Sequence, residues 1–315
     1  MTPPRIVLIG AVESTRIALE ALIEARCAPD LLVTLPLELA HMHSDFVDLA
    51  PLAESHSVPV LPAANVNSEA TVERVRASRP DFIFVIGWSR LLGTKIRECA
   101  AKGVLGYHPS PLPRGRGRSA LSWTILLGMP RTAGSLFWID EGVDSGPIAK
   151  QLEFALSPRV DLPELYAQHM SALRTMLGDL LSDLKAGLMP AVSQDEQAAT
   201  YFAARRPDDG LIDWTKEASE IDRLVRAVTR PYPGAFTFVS GRRMTIWKGE
   251  VVKMNQWHAL PGQVFLVQEG AAYVRCGNDT TYRIEEYEIA APAGETPVPL
   301  KGQPRLGGQS EYVHA

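Results

Sequence analysis

The chain of 315 residues lacks several features that would place it in a special class of proteins. It has three cysteines and no CxxC pair, which argues against a disulfide framework and against a thiolate zinc site. No apolar run approaches the roughly 20 residues that span a bilayer, and the first residues lack the apolar core of a signal peptide. We therefore expect a cytoplasmic protein with no membrane segment and no bound metal.

An excess of charge of one sign is also missing. The 32 lysines and arginines are balanced by 36 aspartates and glutamates, which leaves a net charge of −4. Such a chain has no general attraction to nucleic acid or to an anionic membrane. Gly10 follows an apolar run but lacks the GxGxxG pattern, so the sequence does not support a nicotinamide or flavin cofactor.

Short apolar runs that alternate with helical patterns dominate the first part of the chain. Residues 6–10 are a continuous apolar run that ends in glycine, and so is the segment 81–87 after its first residue, Asp81. Such runs are expected for strands buried on both faces. The alternation predicts a doubly wound, Rossmann-like and mostly parallel α/β sheet over residues 1–190. Ligands of such sheets bind beyond the carboxyl ends of the strands, where residues 88–90, 107–108 and 140–144 are expected.

The pattern changes after a long predicted helix over residues 162–188. Periodicity is lost there, and residues 191–203 are predicted to be a linker. Residues 204–315 are predicted to form a smaller, β-rich and barrel-like domain. Its candidate strands are the short runs 235–239, 244–247, 264–267 and 272–275.

A candidate catalytic histidine, His108, stands at the end of a predicted strand. Ser110-Pro111 and Leu112-Pro113 follow it, and these X-Pro pairs hold the chain extended. Gly115 and Gly117 come next and would allow a ligand to approach the backbone closely. The pattern favours a functional histidine over a structural one.

A histidine that works near neutral pH needs a carboxylate to fix its tautomer and support its charged form. Asp140, Glu141 and Asp144 follow a second apolar run and compete for that role. The arginines Arg114, Arg116 and Arg118 are equally compatible with binding of a phosphate or carboxylate and with a solvated loop.

These residues resemble the superfamily of formyltransferases that use 10-formyltetrahydrofolate. His108 with Ser110-Pro111-Leu112-Pro113 is similar to the His-x-Ser-Leu-Leu-Pro turn of the family. Asp144 lies in a segment, residues 140–146, that resembles its Asp-Glu-Gly-x-Asp-[Thr/Ser]-Gly motif. Val66-Asn67 and residues 80–83 resemble the approach to its folate-site strand. Residues 210–214, 222–227 and 232–235 resemble the second domain of methionyl-tRNA and aminoarabinose formyltransferases.

The resemblance implies that His108 and Asp144 handle the proton and the oxyanion when an amine attacks the formyl group. It implies that 10-formyltetrahydrofolate is the co-substrate and that no metal ion takes part. Tyr107, Ser110, Arg114 and Arg116 are weaker candidates for contact with the acceptor. The residues that the resemblance assigns to the folate are Trp88, Ser89, Arg90, Leu91, Leu92, Ile139, Asp140 and Glu141.

Gly106 departs from the family pattern, in which asparagine usually stands two residues before the histidine. Loss of such an oxyanion donor costs about 2.7–4 kcal/mol in comparable sites. We expect protonated His108, a backbone N–H or a water in the vacated space to replace the amide. Gly106 with Tyr107 also resembles the hydrolase domain of formyltetrahydrofolate dehydrogenase.

The acceptor is therefore open among several candidates. Residues 201–315 contain 14 basic and 14 acidic side chains, which disfavours tRNA because RNA phosphates need a basic face. We rank a nucleotide-linked amino sugar of polysaccharide synthesis first, water second and methionyl-tRNA third. A folate-binding regulator with little activity, and a homodimer, also remain open.

Overall fold

The computed structural model describes residues 3–42, 45–88, 90–290, 300 and 302–307. The chain divides into two compact units. The first comprises Met1–Ala120, Arg131–Ala155 and Tyr166–Ala203, and the second comprises Leu121–Pro130, Leu156–Leu165 and Ala204–Ala315. Two short segments that precede Tyr166 therefore belong to the second unit.

The first unit is built on a seven-stranded sheet in the order β3-β2-β1-β4-β5-β7-β8. Neighbours from β3 to β5 are parallel, whereas β7 and β8 are antiparallel. The predicted mostly parallel α/β sheet is confirmed. A separate two-stranded pair joins β6 to β9. The strands of this unit are β1 Ile6–Ile9, β2 Leu31–Thr34, β3 Val60–Pro62, β4 Phe82–Val85, β5 Gly103–His108, β6 Arg116–Gly117, β7 Arg131–Trp138, β8 Ile148–Ala155 and β9 Tyr201–Phe202.

Helices cover both faces of this sheet, which explains the continuous apolar runs. Ile6 and Leu8 of β1 point to one core cluster, and Val7 and Ile9 point to the other. Side chains that alternate along a strand point to opposite faces, so a strand buried on both faces must be apolar throughout. The α-helices in the described residues are α1 Glu13–Glu24, α2 Ala50–Ser55, α3 Glu69–Ala77, α4 Thr94–Arg97, α5 Ala120–Leu126, α6 Leu162–Lys185 and α7 Ala218–Val228.

Because β7 runs antiparallel to β5, the segment 140–146, which carries Asp144, begins at an unexpected place in the sheet. Leu105 pairs with Trp138, and the Ile139 N–H donates to the Val104 carbonyl at 2.7 Å. Residues 140–146 therefore start beside the first half of β5 and not at its carboxyl end, which is the position predicted from the sequence. This turn then reaches back to His108 at the other end of β5.

The second unit contains five antiparallel strands in the order β10-β11-β14-β13-β12. Residues 304–307 bridge its two edges: Phe238 of β10 exchanges backbone hydrogen bonds with Gly307, and Val264 of β12 donates to the Pro304 carbonyl. The predicted β-rich domain is confirmed, and this bridge makes it barrel-like. Its strands are β10 Ala235–Val239, β11 Arg242–Val252, β12 Val264–Gln268, β13 Ala271–Arg275 and β14 Thr281–Ile289.

None of the helices in the described ranges is both long enough and apolar enough to cross a membrane.

Candidate active site

His108 is the last residue of β5 and is only 7% exposed. Its ring Nε2 donates to the Gly115 carbonyl at 2.7 Å, since a carbonyl can only accept. Its Nδ1 lies 3.6 Å from Asp144 Oδ2. The imidazole is thus held between a backbone carbonyl and a carboxylate.

This arrangement gives the ring a defined chemistry. With the Nε2 hydrogen committed to Gly115, a neutral ring presents the lone pair of Nδ1 on the side of Asp144. A proton taken up at Nδ1 would then lie against the carboxylate, which stabilises the imidazolium. The pair is therefore suited to accept a proton and return it.

Asp144 is the carboxylate that the structure places beside His108. Its backbone is left-handed, with φ of 51°, and its Oδ2 accepts the Gly117 N–H at 2.8 Å. The other two candidates are placed differently: Asp140 Oδ1 accepts from Gly142 N and Ser145 Oγ within its own turn, and Glu141 is exposed. Of the three, Asp144 makes the ion-pair contact.

The proline-rich turn after His108 is fixed by hydrogen bonds from neighbouring strands. Ser110 Oγ donates to the Arg114 carbonyl at 2.9 Å, so this hydroxyl is used inside the turn. Ser135, the cross-strand partner of His108, donates its hydroxyl to the Ser110 carbonyl at 2.7 Å. Gln151 Nε2 donates both to Ser135 Oγ and to the Leu112 carbonyl, each at 2.9 Å. Sequence reasoning identified neither Ser135 nor Gln151.

Gly115 and Gly117 are glycines for a local reason. Both have positive φ, 74° and 103°, and a Cβ on either would collide with Phe202. Their segment runs beside residues 200–202, where Arg116 N donates to Thr200 O and Arg118 N donates to Phe202 O. The glycines thus allow the chain to lie close to β9 as well as to His108.

The three loop arginines differ in environment. Arg114 and Arg118 are exposed, whereas Arg116 is fully buried. The Arg116 guanidinium pairs with Glu196 at 2.6 Å, which raises the pKa of Arg116 and lowers that of Glu196. Arg116 also donates to Gln194 and to the Tyr201 hydroxyl. This placement does not fit the expected contact with an acceptor, because the guanidinium is already enclosed by protein groups.

Tyr107 points to the opposite face of the sheet from His108, as the alternation along β5 requires. It packs against the core cluster formed with α1 and α6, and its hydroxyl contacts His169 Nδ1 at 2.9 Å. Burial raises the pKa of the Tyr107 phenol, and burial together with the charge of His108 lowers the pKa of His169 to about 3. Tyr107 therefore supports the strand and does not face the His108–Asp144 pair.

The space beside Gly106 is occupied by apolar side chains. A Cβ on Gly106 would lie 2.9 Å from Phe137 Cε1 and 3.1 Å from Ile139 Cδ1. A side chain at this position would therefore have to displace the Phe137 ring or Ile139, and the donor that replaces the amide stays a prediction. Gly106 has no positive φ, so close contact alone accounts for the glycine.

The loop after β4, assigned to the folate by resemblance, combines apolar surface with one unpaired donor. Trp88 and Leu92 pack against the core cluster that also holds Ile139, whereas Leu91 is 76% exposed. The Trp88 indole N–H is buried and makes no hydrogen bond within the described part of the chain. Ser89 lies outside the described residues.

Asn67 holds this loop in place. Its Nδ2 donates to the Leu91 carbonyl at 2.9 Å and its Oδ1 accepts the Gly93 N–H at 2.7 Å. Arg90 donates to the Ala64 carbonyl at 2.9 Å, so its side chain lies along the neighbouring segment. Among the residues that the structure describes, no group of histidine, cysteine, aspartate and glutamate is arranged to hold a metal ion.

Two family models match the chain. The model described as "Formyl transferase" matches residues 38–177, and the one described as "Formyl transferase, C-terminal domain" matches residues 205–295. The chain belongs to the formyltransferase family. The resemblance drawn from the motifs around His108 and Asp144 is thereby confirmed, and both motifs lie inside the first match.

Solved structures share the formyltransferase fold. An N-formyltransferase from Helicobacter canadensis, in complex with folinic acid and dTDP-3-aminofucose, has a TM-score of 0.67 at 16% identity, over 90% of this chain and 99% of that one. Methionyl-tRNA formyltransferase from Clostridium thermocellum has a TM-score of 0.61 at 18% identity, over 92% and 100%.

HypX from Aquifex aeolicus, in complex with tetrahydrofolic acid, has a TM-score of 0.65 at 15% identity and covers 99% of this formyltransferase chain. The chain spans about half of HypX, 47% of its length. At these identities the similarities show a common fold.

Proposed function

We propose that the protein transfers a formyl group from 10-formyltetrahydrofolate to the amino group of a nucleotide-linked amino sugar. The contact of the buried His108 with the half-buried Asp144, 3.6 Å between Nδ1 and Oδ2, carries this proposal. Because the chain belongs to the formyltransferase family, we assign formyl transfer to this pair.

The chemistry needs one base and one acid. The acceptor nitrogen attacks the formyl carbon, a new C–N bond forms, and the carbonyl oxygen gains negative charge. The proton lost by the amine passes to the His108 imidazole, whose charged form Asp144 stabilises. The bond from the formyl carbon to N10 of the folate then breaks, and N10 takes the proton from His108. No redox change or metal is required.

The loop after β4 fits the flat ring system of a reduced folate. The exposed Leu91 of this loop and Val143 of the turn 140–146 offer apolar surface. The buried Trp88 N–H is a donor without a partner among the described residues. Asn67 gives the loop a fixed shape. Donors other than a side chain at position 106 must meet the oxyanion, because Phe137 and Ile139 fill that space.

Three observations support a sugar nucleotide as the acceptor. The balanced charge of residues 201–315 gives no basic face for tRNA, and the exposed Arg114 and Arg118 are available to a diphosphate. The Helicobacter canadensis relative was solved with a dTDP-linked amino sugar.

The test is a turnover assay with purified protein, 10-formyltetrahydrofolate and a panel of acceptors: dTDP- and UDP-linked amino sugars and methionyl-tRNA. Tetrahydrofolate release is followed by absorbance and the formylated product by mass spectrometry. We expect formylation of an amino sugar nucleotide and none in His108→Ala. Turnover that is no faster than in His108→Ala with every acceptor would contradict the proposal.

Hydrolysis of the folate is the second candidate, and the apolar environment of Gly106 favours it. Without a side-chain amide at this position, the site resembles that of a formyltetrahydrofolate hydrolase, which passes the formyl group to water. Formate release at the same rate with and without amine would identify this activity, whereas stimulation by an amino sugar nucleotide supports transfer.

A further inference from the structure

Gln194 lies in the segment predicted as a linker, yet all four hydrogen-bonding positions of its side-chain amide are used inside the candidate site. Its two amide hydrogens have separate acceptors, the Asp144 carbonyl at 2.8 Å and the Gly146 carbonyl at 2.7 Å. Its Oε1 accepts from Arg116 Nε at 3.1 Å and from Arg116 Nη2 at 2.9 Å. A fully satisfied amide has one orientation.

The two carbonyls that Gln194 holds lie on the turn that carries Asp144. The left-handed backbone of Asp144, φ 51°, is unfavourable for a residue with a Cβ. Such a conformation persists when surrounding contacts fix it, and Gln194 supplies two of those contacts. The direction of the Asp144 carboxylate depends on this backbone.

Gln194 is itself anchored on two sides. Val192 exchanges both backbone hydrogen bonds with Ile148 at the start of β8, at 2.8 and 2.9 Å. Arg116, which donates to Gln194, is held by Glu196 and the Tyr201 hydroxyl. We call Arg116, Gln194 and Glu196 the Gln194 clamp.

The clamp reaches both members of the catalytic pair through the three residues 115–117. The Gly115 carbonyl accepts from His108 Nε2, and the Gly117 N–H donates to Asp144 Oδ2. Arg116 is the residue between these two glycines. Its guanidinium donates to Gln194 Oε1, and Gln194 Nε2 donates to the Asp144 carbonyl. A shift of the clamp would therefore change the distance between His108 Nδ1 and Asp144 Oδ2.

We propose that Gln194 is a positioning residue that sets the contact between Asp144 and His108. It touches neither reacting atoms nor the imidazole, and it acts through the Asp144 turn. The effect on catalysis rests on the proposed function, whereas the effect on geometry does not.

Gln194→Glu is the sharpest variant because it preserves size and the oxygen that faces Arg116. It removes both amide hydrogens and places an oxygen against the Asp144 and Gly146 carbonyls. Gln197→Glu is the matched control, since it makes the same change on an exposed side chain three residues further along the chain. We expect kcat of Gln194→Glu to fall about tenfold to a hundredfold with little change in KM for the folate, and Gln197→Glu to behave as wild type.

A second readout needs no substrate. The ¹⁵N chemical shifts of the His108 ring, assigned by their loss in His108→Ala, should change when Asp144→Asn is introduced. We expect this change to be much smaller in the Gln194→Glu background and intact in the Gln197→Glu background. If Gln194→Glu does not fold, Gln194→Ala serves for both measurements.

The outcomes separate the two proposals. An unchanged kcat together with an intact response of His108 to Asp144→Asn in a folded Gln194 variant would overturn the positioning role. If the wild-type protein transfers no formyl group, the proposed function fails, and the ring shifts alone decide on Gln194. An equal loss of kcat in Gln197→Glu would also count against the clamp, because the added charge would then explain the effect.

Discussion

Phe137 occupies the space that a side chain on Gly106 would need. The two residues are cross-strand partners on β5 and β7, and a Cβ on Gly106 would lie 2.9 Å from Cε1 and 3.0 Å from Cζ of the Phe137 ring. Phe137 is buried among strands and has little room to move. Gly106 and Phe137 therefore pack against each other. An asparagine at position 106 would fit only if Phe137 were also replaced by a smaller residue.

We predict that Gly106→Asn lowers the free energy of unfolding by roughly 1–3 kcal/mol, the usual effect of overpacking a buried site. Urea unfolding monitored by circular dichroism measures this change. Gly178→Ala is the control: a Cβ there meets nothing within 4 Å, so this variant should be neutral or slightly more stable.

Gly106→Asn should also fail to increase formyl transfer to an amino sugar nucleotide, because the amide cannot reach a productive position beside Phe137. The same acceptor assay measures this. A rise of about tenfold or more would mean that the oxyanion site of the wild-type protein is merely impaired.

His108 and Asp144 should behave as one catalytic unit. His108→Ala and Asp144→Asn are each expected to lower turnover by orders of magnitude, and the double variant to be little worse than the poorer single one. Steady-state rates of the three proteins test this. Losses that multiply would show that the two residues act independently.

A reduced folate should stabilise the protein. We expect 5-formyltetrahydrofolate to raise Tm by mass action, whereas NAD, ATP and zinc should have no comparable effect. Asn67→Ala should reduce the shift, because it releases the Leu91 carbonyl and the Gly93 N–H that shape the loop. Thermal melts over a range of ligand concentrations measure both effects; a protein that no reduced folate stabilises would remove the basis for a folate site here.

His169 should make stability depend on pH. Burial and the nearby His108 lower its pKa from 6.5 to about 3, so between these values the unfolded chain binds a proton that the folded protein does not. Stability therefore falls as pH falls through this window, by about 1.4 kcal/mol per unit at most. From pH 7 to pH 5 the loss from this residue is about 2 kcal/mol.

His169→Asn removes the titrating group and keeps a polar partner for Tyr107. Urea unfolding at pH 7 and pH 5 compares the two proteins, and the variant should lose less stability than the wild type. The same loss in both would show that His169 takes up its proton equally well in the folded protein.

Strands buried on both faces could be predicted from sequence because their pattern is local. The run 6–10 contains β1, Ile6–Ile9, and the run 235–239 is β10, with the predicted bounds. β14, Thr281–Ile289, was not predicted, since Arg283, Glu285 and Glu286 interrupt its apolar residues. It lies between β11 and β13, so backbone pairing on both sides stabilises a strand that looks polar in sequence.

His108 and Asp144 could be proposed from sequence as a catalytic pair, but not the residues that hold them. His108 and Asp144 stand in short motifs, whereas Gln194 reaches Asp144 across 50 residues and Arg116 across 78. Arg116 was expected to meet either a ligand or solvent. Arg116 is buried because its charge is paired with Glu196, 80 residues away. No local sequence pattern predicts such a distant ion-pair partner.

The division into two units constrains how this protein can be cut or recombined. Leu121–Pro130 and Leu156–Leu165 belong to the second unit, where Ser122 Oγ donates to the Ala227 carbonyl and Arg226 donates to the Val160 carbonyl. A single break after Ala203 would leave the second unit without two of its segments and the first unit with two loose insertions. An exchange of the C-terminal half alone between relatives would therefore have to preserve the fit of these segments.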